Sequence, residues 1–449
     1  MTPDVQHTAG PRTLRPLIGV LSALVVSLTG TRVSAIALPW FVLMTTGSAT
    51  QTGLVAFCEM TPYVVAKALS GPLVDRTGPR AVSWITDLIS SAAALAVPVC
   101  HGLGLLSLPL LLALVAVIGT ARGPGDLAKR VMVPDAAERG GVPMERAMGL
   151  SGVIDRLAST IGPAAGGALI MLVGPLTGLI VNAACFALGS VIVSCALPRE
   201  MGRQAPAQED DRGADETYRQ RFAAGFTFLR GDRLLLSLVV MVGITNLLDA
   251  AFNAVLVPVW AKETGNGPAA IGLLAGAGSA AAVAGSLLAT VVAHRLPRRT
   301  VLIGGFLVLG APRFLALASG TSLGTLVAVF VVAGFGAGFL NPILGAVSVE
   351  RVPRHLLGRV QALGDSLAWS GIPLGGLLAG AAAGIVGLTP VLLVCGAVYF
   401  LTTNLTGLRP EWAEMDRARA DAERGKVAQE NAERENAERA DSSRPVPKA

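Results

Sequence analysis

The stretch "GPLVDRTGPR", residues 71–80, places Asp75, Arg76 and Arg80 in a short, glycine-punctuated break between two long apolar runs. Its setting is decided by the rest of the chain. Of 449 residues, 52% are hydrophobic and 15% charged, where a soluble domain carries about a quarter charged. Many of the charges crowd into the tail beyond Glu411. What remains is a series of apolar segments near the roughly 20 residues a helix needs to cross a bilayer. They are rich in Gly and Ala and lack the period-2 alternation of a membrane barrel. Backbone groups in lipid must be satisfied within the segment, so the expectation is an all-α membrane protein.

Twelve transmembrane helices are predicted, over 17–44, 51–74, 81–100, 105–127, 147–171, 175–197, 233–260, 268–293, 300–319, 323–346, 359–384 and 388–408. Loops on one side hold Arg76 and Arg80; Lys129, Arg130, Arg139 and Arg146; the run from Arg199 to Arg233; Arg295, Arg298 and Arg299; and Arg351, Arg354 and Arg359. Among the opposite loops the one such residue is Lys262. That asymmetry marks the first side as cytoplasmic and puts both termini there. The expected order is a cytoplasmic segment 1–16, a six-helix half 17–197, a linker 198–232, a second half 233–408 and a charged tail 409–449, helical or disordered. The first apolar run is too long for a signal peptide. Five cysteines lie in or beside apolar runs without metal-like spacing, and four histidines are scattered. The net charge of +6 points to no nucleic-acid partner.

The halves resemble each other. A shift of 219 residues lays 38–54 on 257–273, matching Pro39 to Pro258 and Gly53 to Gly272, and carries Arg80 onto Arg299. A shift of 213 lays "RAMGLSG" (146–152) on "RVQALGD" (359–365). An internal parallel repeat joined by a polar linker is a feature of two-halved secondary transporters.

With these residues in view, the pattern Gly71, Asp75, Arg76, Gly78, Arg80 between the second and third spans resembles the signature loop of the major facilitator superfamily. Within it, "ALPWFVL" (37–43) and "PDAAERGGVPMERAMGLSGVIDRLASTIGPAAGG" (134–167) look most like bacterial drug-efflux antiporters of the macrolide, tetracycline and multidrug kind. The resemblance implies a gating loop: Asp75 at the N-terminus of the eleventh span, favoured there by the helix dipole, and Arg80 paired with Asp126 at the end of the fourth. Read without the resemblance, Arg76 and Arg80 are topology anchors. The set Gly149, Gly162, Pro163, Gly166 and Gly167 resembles an exporter-type helix motif, in which Pro bends the fifth span and Gly packs it closely. Its bland reading is an ordinary packing kink.

Ionisable residues within spans are costly and mark function by default. Glu59, Asp249 and Asp155 are the proton-coupling candidates, with Arg32 near mid-membrane; an Arg32–Asp249 pair across the halves is the structural alternative. Substrate-cavity candidates are Arg32, Trp40, Phe57, Phe252, Asn253, Trp260, Phe335, Phe339 and Asn341, polar or aromatic groups suited to a mainly apolar pocket. The function expected is proton-coupled export of a small amphipathic molecule by alternating access, by a monomer in the cell (inner) membrane. The proton gradient is its energy source, it needs no cofactor or metal, and it is not an enzyme. The alternatives are an importer or facilitator of a polar or anionic metabolite, or a membrane sensor acting through its tail.

Overall fold

The computed structural model describes residues 13–199, 201, 226–292, 296–353 and 356–413. The helices are α1 (Arg15–Thr46), α2 (Ala49–Leu69), α3 (Gly71–Thr77), α4 (Pro79–Gly102), α5 (Leu108–Gly140), α6 (Met144–Val173), α7 (Pro175–Ala196), α8 (Arg233–Ala251), α9 (Val257–Glu263), α10 (Gly267–Val292), α11 (Arg298–Leu309), α12 (Ala311–Ala318), α13 (Leu323–Arg351), α14 (Leu357–Ser370), α15 (Ile372–Val386) and α16 (Leu388–Gly407). A π-helical turn, Phe252–Leu256, joins α8 to α9. The described residues contain no strand.

Among the described residues, eleven helical stretches are long and apolar enough to cross a membrane. The remaining predicted span, α2, has 21 residues but carries Gln51, Glu59 and Lys67 and falls short of that apolarity. Helix starts follow local chemistry. Ser48, Ser107, Ser322 and Asp232 cap α2, α5, α13 and α8 by accepting from the first-turn amides, which satisfies donors the helix itself cannot.

Four predicted spans are corrected. The span set at 105–127 continues to Gly140, with Pro124 and Pro134 inside it. Lys129 is therefore not a loop anchor: its side chain is 1% exposed and pairs with Asp87 at 2.7 Å. The span set at 51–74 ends at Leu69, and the opening stretch is itself the short helix α3. Val74 buries against Val82 and Ala128, which ties α3 to α4 and α5. The predicted spans 300–319 and 359–384 are each broken, at Gly310 before Pro312 and at Gly371 before Pro373, where proline cannot supply a helical amide.

The helices α1–α7 pack into one bundle and α8–α16 into another. The bundles meet at the end opposite the basic loops, where Lys262 is the one Lys or Arg expected in a loop. There Gly167 of α6 faces Gly272 of α10, so that a methyl added at Gly167 would sit 2.9 Å from the Gly272 Cα. Gly380 of α15 faces Gly53 of α2 in the same way, at 3.1 Å from the Gly53 Cα. Lys262 Nζ donates to the Leu43 carbonyl at 2.9 Å, fastening α9 to α1 across the same end. Toward the basic end Gln361 and Asp365 of α14 are exposed.

Candidate functional site

A cavity of about 430 Å³ lies between the bundles. Its wall is mainly apolar, with Arg32 of α1, Glu59 of α2, Arg122 of α5, Asn246 and Asp249 of α8, and Asn253 of the π-turn supplying polar groups. Glu59 Oε1 accepts from Arg122 Nη1 at 2.9 Å. Asp249 Oδ1 accepts from Arg313 Nη2 at 2.6 Å. The Arg313 guanidinium is stacked 4.9 Å over the Phe252 ring. Glu59 and its partner Arg122 both line the cavity, whereas Asp249 lines it with Arg313 behind. Glu59 is 15% exposed and Asp249 32%. Arg32 Nη2 donates to the Ser159 hydroxyl at 2.8 Å, so the Arg32–Asp249 alternative is not the observed pairing.

This arrangement holds two ion pairs in a low-dielectric wall, with Arg32 as a further charge seated on a hydroxyl. Breaking either by removing one partner strands a charge, at a cost of about 3–5 kcal/mol. Asp155 lies elsewhere: it pairs with Arg130 at 3.3 Å and is a third exposed.

The other cavity candidates divide. Asn253 lines the cavity, and its Nδ2 donates to the Asp249 carbonyl at 2.7 Å. Asn341 lines a second cavity of about 410 Å³ within the α8–α16 bundle, beside Gln361 and Asp365. Trp40, Phe252 and Trp260 are buried in the core, where Phe252 meets Phe314 edge-on at 4.7 Å. Phe57 is half-buried. Phe335 and Phe339 meet edge-on at 5.6 Å, on the α13 face where Gly285 of α10 meets the Phe335 carbonyl.

The gating-loop residues are also rearranged relative to expectation. Gly78 has φ +86 and ends α3, a conformation that suits glycine. Gly71 has open space around its Cα and opens a helix, so no close approach requires it. Asp75 and Arg76 are exposed. The expected Arg80–Asp126 pair is replaced. Arg80 Nη2 donates to the Ser194 carbonyl at the end of α7. Asp126 Oδ2 instead accepts from the Tyr63 hydroxyl at 3.2 Å. The longer α5 explains this, because it carries Asp126 well inside the helix and faces it toward α2.

The glycine–proline motif of α6 packs on two neighbours. Methyls at Gly162 and Gly166 would sit 2.6 Å from Arg32 Cβ and 3.1 Å from Val33 Cα, while Gly167 and Pro163 face α10. Gly149 has open space. Among the polar groups of the cavity wall, sequence reasoning missed Asn246 and, more consequentially, Arg122. Ending the span at 127 put it at the mouth, whereas a 33-residue helix sets it deep beside Glu59. The signal was present in the spacing of Arg122, Asp126, Lys129 and Arg130, which recur at helical intervals.

Comparison with known proteins gives a consistent result. The family described as transmembrane secretion effectors, a major facilitator family, matches residues 17–439. The multidrug efflux pump Tap of Mycobacterium tuberculosis (strain ATCC 25618 / H37Rv) is 33% identical over 414 residues, covering 91% of this chain and 97% of that protein. Tap of Mycolicibacterium fortuitum is 29% identical over 407 residues, covering 90% and 98%. Among solved structures, the nucleoside transporter NupG superposes with a TM-score of 0.65 at 16% identity, covering 88% of this chain and 98% of that one. A bacterial homologue of the human lysosomal transporter Spinster, inward-facing and unoccupied, gives 0.64 at 16%, covering 92% and 99%.

Proposed function

The chain belongs to the transmembrane secretion effector family of major facilitator transporters, and on that premise we propose that it exports a small amphipathic molecule in exchange for protons. The observation that carries the proposal is the Glu59–Arg122 pair in the cavity wall. A carboxylate there, released from its arginine by a proton, gives the cavity two charge states that a cargo and a proton can exchange. Glu59 is the coupling acid in this reading and Asp249, with Arg313, the second candidate. The names of the mycobacterial relatives support export of drug-like cargo. The family is one of transporters, and its members are not enzymes.

The proposed architecture is twelve spans in two six-helix halves, 17–197 and 233–408, with α2 as the span lowest in hydropathy. Segment 1–16, linker 198–232 and tail 409–449 are cytoplasmic in this proposal and lie mostly outside the described residues. The contacts support the repeat: Gly53 and Gly272 stand 219 residues apart, Gly167 and Gly380 stand 213 apart, and these four make the two matching crossings. With the basic loops in the cytosol, the proposal takes this arrangement as the inward-open state of an alternating-access cycle, supported by the glycine crossings at the opposite end. The exposed Asp75 then meets the eleventh span when that end closes.

A second reading has one observation behind it. Arg32 reaches the cavity bonded to a hydroxyl, which suits an anionic metabolite carried by a facilitator. Cargo flux from proteoliposomes, screened over macrolides, tetracyclines, phenicols and anionic metabolites with and without a pH gradient, tests both. Export of a drug that the gradient accelerates supports the antiporter. Anion flux indifferent to the gradient replaces it with the facilitator.

A further inference from the structure

On α2, Glu59, Tyr63 and Lys67 recur every four residues and share one face. α5 turns Arg122 and Asp126, also four apart, toward that face. The approach is close because α5 is glycine there: a methyl at Gly123 would sit 2.8 Å from both the Lys67 amide nitrogen and the Tyr63 carbonyl. The side chains form a ladder running from the cavity toward the basic end. Below the Glu59–Arg122 pair at 2.9 Å, Arg122 Nε lies 3.9 Å from Asp126 Oδ2. Asp126 accepts from the Tyr63 hydroxyl at 3.2 Å, and that hydroxyl accepts from Lys67 Nζ at 3.3 Å.

The last rung leaves its own half. Lys67 Nζ stands 4.4 Å over the ring of Trp369 on α14, a cation–π seat in a partly desolvated site. The charges facing Lys67 are Asp126, Arg122 and Arg130 from α5 and Asp365 from α14. Neutralising Glu59 removes the nearest counter-charge of Arg122, whose remaining carboxylate is Asp126. A stronger Arg122–Asp126 pair draws Asp126 away from Tyr63 and weakens the hold on Lys67. The chain of contacts is continuous, and its ends sit on different halves.

We propose that Lys67 is a positioning residue for transport, which passes the charge state of Glu59 to the opposite half through its seat on Trp369. The proposal rests on the reading of Glu59 as the coupling acid, and it adds a route by which that charge reaches the opening at the basic end.

The test places spin labels at Leu69→Cys and Gln361→Cys in the full chain, its native cysteines replaced by alanine, and reads their distance distribution in nanodiscs. Glu59→Gln is expected to shift the distribution. Lys67→Met abolishes that shift, Lys67→Arg restores it, and Trp369→Phe preserves it where Trp369→Leu does not. A shift that persists with Lys67→Met, or no shift when Lys67 is present, overturns the proposal. Cargo-evoked proton uptake, measured on the same variants, separates the premise from the inference. If the parent protein takes up no protons but the shift still needs Lys67, the coupling reading falls and the ladder stands. If protons move and the shift ignores Lys67, the ladder alone falls.

Discussion

Glu59 and Arg122 approach to 2.9 Å across the α2–α5 seam, in the wall of the cavity between the two bundles. Neither residue is tolerable there alone, since each would be an unpaired charge in a low-dielectric site. Arg122→Met is expected to destabilise the protein by about 3–5 kcal/mol, and Glu59→Gln combined with it recovers most of the loss. Unfolding of the single and double variants in the same detergent measures the coupling; additive losses contradict it.

Asp87 and Lys129 form the opposite kind of pair. They are 2% and 1% exposed and stand away from the residues that line the cavity. Lys129→Met should therefore cost a comparable amount of stability, about 3 kcal/mol or more, and the double variant with Asp87→Asn should recover much of it. Protons moved per cargo in that double variant should match the parent. A changed ratio would make this pair part of the transport chemistry.

The crossing of Gly167 and Gly272 closes the end opposite the basic loops. A Cβ at Gly272 would lie 3.0 Å from the Gly167 Cα and also meet the Pro163 carbonyl, so Gly272→Val forces the helices apart. The expected result is a population open at that end. Labelling of Asn253→Cys by an impermeant maleimide from outside the cell, in a chain otherwise free of cysteine, should rise several-fold. Unchanged labelling would mean the crossing does not hold the closure.

Arg80 and Arg299 play matched parts at the basic end. Arg80 donates to the Ser194 carbonyl closing α7, and Arg299 Nε to the Gly407 carbonyl closing α16 at 3.2 Å. Both satisfy helix-end acceptors that lack intrahelical donors. Replacing either with alanine should cost about 1.5–3 kcal/mol, the range for hydrogen bonds to a charged group. The two losses should be similar in thermal unfolding. A loss at Arg80 that is far larger, and accompanied by failed transport, would restore the gating role expected of it.

Much of this was legible in the sequence, for physical reasons that can be named. Apolar length and the Lys/Arg asymmetry expose the membrane helices, because lipid permits few other solutions. Separations of 219 and 213 residues recur between the glycines of the two crossings, and the first also relates Arg80 to Arg299, but a shared spacing does not say what these residues touch. Hydropathy misjudged α5, since a helix that buries its charges by pairing reads as loop: Asp126, Lys129 and Arg130 hid 13 further residues of helix beyond the predicted end at 127. That error moved Arg122 out of the site and gave Arg80 the wrong partner. The aromatic candidates failed differently. Composition marks Trp40, Phe252 and Trp260 as unusual, but whether a ring faces a cavity or a core is settled by three-dimensional packing.

The central claim is that Glu59 couples proton movement to cargo. The most direct measurement is cargo-evoked proton uptake in proteoliposomes carrying a pH-sensitive dye, for the parent protein, Glu59→Gln and Asp249→Asn. The account predicts proton movement with the parent, its loss with Glu59→Gln while cargo still binds, and its retention in Asp249→Asn. Full proton movement in Glu59→Gln would contradict it.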